Sequence, residues 1–316
     1  MPAFLDAPLR RLLPALVLLM MAMPALAAGE TASSSLPWWF WPLALFVTCF
    51  LIGIVAVPAG IGGGTLFVPI VGGFFPFHLD FVRGAGLLVA LASALAAGPM
   101  LLRSGLANLR LALPLALLAS ISSIAGAMLG LALPANAMQI ALGVIVLAIV
   151  ALMLVTKKAE HPEVAQPDPL AAALGIHGVF FDGASGQFAR WQVHRTPLAL
   201  FLFLLIGLIG GLFGIGAGWA NVPVLNMVMG APLKVAAGTS GLILSLSSAS
   251  ASWYYINSGA TLPMIAVPSV IGMILGARIG AHLLHVLKSS HIRKMVIVLL
   301  AFAGLRAILK GTGLWM

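Results

Sequence analysis

Asp80 is the one carboxylate in the long apolar body of this sequence, two residues after His78 and three before Arg83. A histidine titrates near neutrality, and an acid at membrane depth can carry a proton. His78, Asp80 and Arg83 together could therefore couple protons to a movement across the membrane, or gate it. The plainer reading is a loop pair that caps the following helix, with Arg83 stretching toward the interface.

Two glycine-rich phrases offer a different chemistry. GIGGGTLFVP fills positions 60–69 and GIGAGWANVP fills 214–223, with six of ten residues identical at an offset of 154. Glycine weakens a helix interior and allows backbone conformations that other residues avoid. Within a bilayer every freed N–H and C=O needs a partner, so a break is tolerated only in protein or beside a wet cavity. Amide groups at the start of the next half-helix, with its dipole, attract an anion. The candidate binding residues are Gly62, Gly63, Gly64 and Thr65 in the first phrase. In the second they are Gly216, Ala217, Gly218 and Asn221, joined by Thr239 and Ser240 from the following run. The competing reading is close helix packing by small residues, which also suits Ser245, Ser247, Ser248, Ser250 and Ser252. Neither phrase leads into Lys-Ser or Lys-Thr, which excludes a nucleotide phosphate loop.

The elements that must position these residues are membrane helices. The chain is 62% hydrophobic and 7% charged, against about 25% charged in a soluble domain. It reads as an all-α polytopic membrane protein. Apolar runs cover about 38–57, 64–77, 80–102, 111–133 and 138–155, then 198–213, 218–230, 234–256, 261–283 and 292–310. The same offset pairs Gly84 with Gly238, Ser93 with Ser247 and Pro114 with Pro268, as an internal duplication would. The second run of each half is too short to span the bilayer as a straight helix. Pro69 and Pro223 are expected to kink or end it.

Loop charge orients the halves. Arg103 and Arg110 flank the link after the third run of half one, while its counterpart at 257–260 has no charge. The link after the fourth run is uncharged in half one, and its counterpart carries Lys288, Arg293 and Lys294. The positive-inside rule then places the two repeats, 38–155 and 198–310, upside down to each other. Inverted repeats with broken or re-entrant helices place a substrate near the midplane. Arg306 and Lys310 fall on the outer side and fit this scheme poorly.

Residues 1–28, with Arg10-Arg11 before an apolar run and Ala25-Leu26-Ala27 after it, read as a signal peptide or an uncleaved first helix. Residues 156–197 form a cytoplasmic linker with a β-hairpin in GVFFDGASGQFARWQVHR. Net charge is +9, and the body sets ten Lys and Arg against one acid. That balance points to a small anionic substrate, with membrane lipid as surroundings and no nucleic acid. Cys49 is the lone cysteine, and His282, His285 and His291 have no carboxylate nearby, so no metal and no cofactor is expected.

The two phrases, APLKVAAGTS at 231–240 and GARIGAHL ending at 283, together resemble the TauE/SafE sulfite exporter family over about residues 40–310. The resemblance implies a multi-pass carrier of the bacterial inner membrane for sulfite, sulfonates and related small sulfur oxyanions. It assigns Thr239-Ser240 to a family phrase and makes the hairpin a familiar insertion. Alternatives from the residues alone are a passive anion channel and an intramembrane hydrolase or transferase built on His78, Asp80 and a serine. A homodimer is compatible with all of them.

Overall fold

The computed structural model describes residues 37–59, 61–103, 106–155, 164, 166–182, 187–283 and 289–313. The leader expected over 1–28 lies outside these. The first half comprises α1 (Phe40–Ala59), α2 (Gly63–Phe74), α3 (Leu79–Arg103), α4 (Leu109–Ala132) and α5 (Ala135–Val155). Next come the short helix α6 (Pro169–Ala173) and the antiparallel pair β1 (His177–Asp182) and β2 (Gln187–Gln192). The second half has α7 (Thr196–Phe213), α8 (Gly218–Pro223), a π-helical turn over Val224–Val228, α9 (Leu233–Asn257), α10 (Pro263–Leu283) and α11 (Ser289–Gly311). Each apolar run is thus a helix within a few residues of its expected bounds. Among the described residues, five segments are long and apolar enough to cross a membrane: Leu79–Ala96, Leu109–Ala132, Ala135–Leu154, Thr196–Phe213 and Pro263–Gly280.

Small residues set the packing, as expected where lipid supplies no hydrophobic drive. The first helix of each half lies on the fourth helix of the other. Gly272 meets Phe46, Gly276 meets Phe50 and Gly280 meets Ile54, so α1 and α10 run parallel. Gly207 meets Ala119, Gly211 meets Ser123 and Gly126 meets Leu208, so α7 and α4 run parallel as well. The fifth helices pair with each other in the opposite sense: Gly143 faces Gly304 and Ile308, whereas Gly311 faces Ile140 and Asn136. The third helices do the same. Gly84 at the start of α3 abuts Ala260 beyond the end of α9, and Gly238 near the start of α9 abuts Leu106 beyond the end of α3.

Local signals explain the boundaries. Asn108 caps α4 by accepting the Leu111 N–H at 2.9 Å. Asp168 accepts from the Thr196 hydroxyl at 2.8 Å and the Thr196 N–H at 3.2 Å, tying the linker to the start of α7. Pro169 opens α6, a helix within the stretch expected to be plain linker. The hairpin is present in the expected segment, with Phe180 opposite Ala189 and Gly178 opposite Trp191. Ile176, Trp191 and Val193 belong to one buried cluster with Leu111, Met229, Ala231 and Val235. The strands therefore cover one end of the helical body, where α4, α7 and α9 begin.

The prolines behave differently in the two halves. Pro69 lies inside α2, which continues to Phe74. After Pro223 the ladder changes to π spacing, and Met229 N–H reaches the Val224 carbonyl at 3.1 Å.

Candidate functional site

Each glycine phrase turns the chain back on itself. Trp41 at the start of α1 lies 5.8 Å from Phe75, ring centre to ring centre, just past α2. In the second half, His194 N–H before α7 donates to the Met229 carbonyl past the π-helical turn at 3.0 Å. The chain therefore leaves one end, reaches a glycine phrase and comes back. Gly214 ends α7 at φ +70°, and Gly216 also has φ +70°. A side chain at Gly214 would strike the Arg83 backbone. Both positions require glycine by conformation as well as by space.

The two phrases meet. Gly218 lies against the Gly62 backbone, and Gly64 lies against the carbonyls of Ile215 and Gly86. The Thr65 hydroxyl donates to the Ile215 carbonyl at 3.4 Å, crossing from one phrase to the other. Gly63 N–H, first of the α2 amides, donates to Ser93 Oγ at 3.2 Å. Leu244 of α9 wedges into the junction. A methyl at either Gly62 or Gly216 would stand 2.8 Å from one of its terminal carbons. Ala90, the matched residue of half one, takes the opposite position beside Gly64 and Gly216.

The remaining candidates divide. Asn221 is buried one turn beyond Gly218, and its amide nitrogen donates to the Ser240 carbonyl at 3.4 Å. That carbonyl can only accept, so the side-chain oxygen faces the other way, where it has no partner. Ser240 thereby joins the phrase-two seam through its backbone. Thr239 is used elsewhere: its hydroxyl accepts the Asn108 N–H at 3.1 Å. Both lie about two turns into α9, which starts at Leu233.

Arg83 departs furthest from expectation. It neither snorkels nor faces open space; its side chain is 0% exposed. One guanidinium nitrogen donates to the Gly130 carbonyl at 2.9 Å and the Leu212 carbonyl at 3.2 Å, and the other binds Asp80. Gly130 and Leu212 lie in the last turns of α4 and α7, so one cation satisfies orphan carbonyls at the negative ends of two helices. Tyr255 adds a hydroxyl to the Gly211 carbonyl at 3.1 Å. Asp80 also lies 3.3 Å from exposed His78, whose ring accepts the Asp80 N–H at 3.4 Å. His78 thus caps α3, as the plainer reading had it.

The misfit cations of α11 have a similar use. Lys310 donates to the Gly72 carbonyl at 2.8 Å, and Gln139 donates to the same oxygen at 3.3 Å. Arg306 stacks over Phe74 at 4.0 Å. These groups serve the C-terminal end of α2. Hydrophobicity and loop charge carry no signal for such contacts.

Buried polar atoms of the two halves with no hydrogen-bond partner among the described residues include Trp219 Nε1, Asn221 Oδ1, Ser248 Oγ, Ser252 Oγ and Arg83 Nε. Among the described residues no three of His, Cys, Asp and Glu gather to hold a metal ion; His285 lies outside them.

Comparison with known proteins places this arrangement. Residues 45–307 match the family described as "Sulfite exporter TauE/SafE". The chain is similar to "Probable membrane transporter protein YunE" of Bacillus subtilis (strain 168), 29% identical over 137 residues, which is 43% of this chain. The match spans 50% of that relative's length. No solved structure matches the chain.

Proposed function

The chain belongs to the TauE/SafE sulfite exporter family, and on that premise we propose that it is a secondary carrier moving a small sulfur-containing oxyanion outward across a bacterial inner membrane. The family is one of multi-pass membrane transporters and not of enzymes, which sets aside the hydrolase alternative. Sulfite or an organosulfonate fits the basic, acid-poor body.

The mechanism proposed is alternating access between two inverted repeats, 38–155 and 198–310, with the linker 156–197 in the cytoplasm. One observation carries it: helices matched by the 154-residue offset, α3 with α9 and α5 with α11, pack antiparallel, while the two glycine phrases meet between them. A two-fold axis in the membrane plane relates repeats in this way. Each excursion through a phrase then acts as a re-entrant segment. The anion sits at the starts of the two half-helices, among Gly62, Gly63, Gly64 and Thr65 on one side and Gly216, Ala217, Gly218 and Asn221 on the other. The orphan Asn221 Oδ1 is an acceptor, which suits a hydrogen-bearing anion such as bisulfite. In the conformation described, Leu244 fills the junction, so the anion enters only after the repeats separate. The His78–Asp80–Arg83 cluster lies where α4 and α7 end, and it gates that separation.

Counterflow in proteoliposomes tests the reading. Sulfite, thiosulfate, taurine and sulfoacetate are compared as internal and external anions. A carrier accelerates uptake of labelled anion against unlabelled internal anion. A passive channel gives no such acceleration, and that result would overturn the proposal.

A further inference from the structure

We propose that Ser248 and Ser252 of α9 donate their hydroxyl hydrogens to the oxyanion beside the second glycine phrase; this rests on the carrier reading and names two ligands for its site. Serine in a helix ordinarily bonds back to a carbonyl one turn earlier. Three serines of α9 do so: Ser245 to Leu242, Ser247 to Ile243 and Ser250 to Leu246. Ser248 and Ser252 do not. They are 1% and 3% exposed, and neither hydroxyl has a hydrogen-bond partner among the described residues. A buried hydroxyl without a partner costs free energy, and native structures rarely leave one without a reason.

Position gives the reason. Ser248 Oγ stands 3.2 Å from where a methyl at Gly216 would lie, so it faces the second phrase at its break. Ser252 follows at i+4, on the same face one turn further along. The matched residues of half one are Ala94 and Gly98. Close packing at this level therefore needs no oxygen, and half two carries two. The Ser93 and Thr65 hydroxyls of half one already donate within the protein, to the Ala90 and Ile215 carbonyls. Among the described residues, Ser248 and Ser252 are the hydroxyls beside the second phrase whose hydrogens have no acceptor, and the Trp219 indole N–H within that phrase is a further unpartnered donor. Neutral hydroxyl donors can replace part of the water around a small oxyanion.

The test uses the full-length protein purified in detergent, with sodium sulfite as the probe and thermal midpoint as the readout. Ser248→Ala and Ser252→Ala each remove one oxygen and add no bulk. The expected result is an unliganded midpoint equal to or above that of the parent, with sulfite affinity weakened at least about tenfold in each variant. Ser245→Ala and Ser250→Ala, whose hydroxyls are bonded back to the helix, bind sulfite as the parent does. Normal sulfite affinity in both alanine variants overturns the proposal. So does a lower unliganded midpoint or a failure to fold, since either would make these hydroxyls structural. A parent protein that responds to none of sulfite, methanesulfonate and taurine overturns the carrier reading itself, and with it this assignment.

Discussion

Gly62 and Gly218 touch backbone to backbone: a methyl added to Gly218 would stand 2.7 Å from the Gly62 nitrogen. Main chain cannot step aside there without moving both phrases. At Gly63 the obstacle is the flexible end of Met273, at 2.8 Å. Gly218→Ala should therefore destabilise the protein by about 1–3 kcal/mol or more, while Gly63→Ala should cost well under half of that. Thermal unfolding in detergent checks this. Equal losses in the two variants would mean that the phrases are looser than described.

Leu244 sets how much space the phrases leave. Leu244→Ala should cost about 2–5 kcal/mol through the cavity it creates. It should also raise uptake of taurine and sulfoacetate relative to sulfite in proteoliposomes, because Ala matches what half one carries at Ala90. An unchanged selectivity ratio would separate Leu244 from the transport site.

Asp80 is 28% exposed and binds Arg83, which is wholly buried. Removing one partner of a buried pair costs about 3–5 kcal/mol, and exposure of the carboxylate reduces that to roughly 1–3 kcal/mol. Asp80→Asn should lower the thermal midpoint accordingly. If Asp80 carries the coupling proton, the variant should lose transport driven by a pH gradient and keep counterflow. A variant with unchanged pH dependence would confine Asp80 to holding Arg83.

Membrane sidedness follows from the mirrored loops. Ala107→Cys and Ser258→Cys, each in a Cys49→Ala background, should react with an impermeant thiol reagent from opposite sides, Ala107 from the cytoplasm. Labelling from one side for both would contradict the inverted repeats.

Much of the fold was legible in the residues. Unbroken apolar runs marked ten helical segments because a bilayer demands them, and an offset of 154 marked their pairing. The hairpin was visible in its alternation and turn residues. The candidate site was legible only in its glycines. Arg83 begins an apolar run, and nothing in one dimension distinguishes an interfacial arginine from one that holds two distant carbonyls, Gly130 and Leu212. Thr239 matched a phrase, yet its hydroxyl serves Asn108, a partner 131 residues away. Ser248 and Ser252 were hidden among serines of the same type. What separates them is the absence of a back-bond, a property of coordinates and not of composition.

The exchange of first helices between the halves also constrains how the protein can be made. Phe46 on α1 waits for Gly272 on α10, more than two hundred residues later. At about 5–20 residues per second, synthesis must run on for roughly ten to forty-five seconds before that partner emerges. During this time the Gly53 face of α1 is covered by lipid or by a helper protein and not by its native neighbour. A truncation between the repeats would leave that face without its native neighbour, although the first half carries a complete set of five helices.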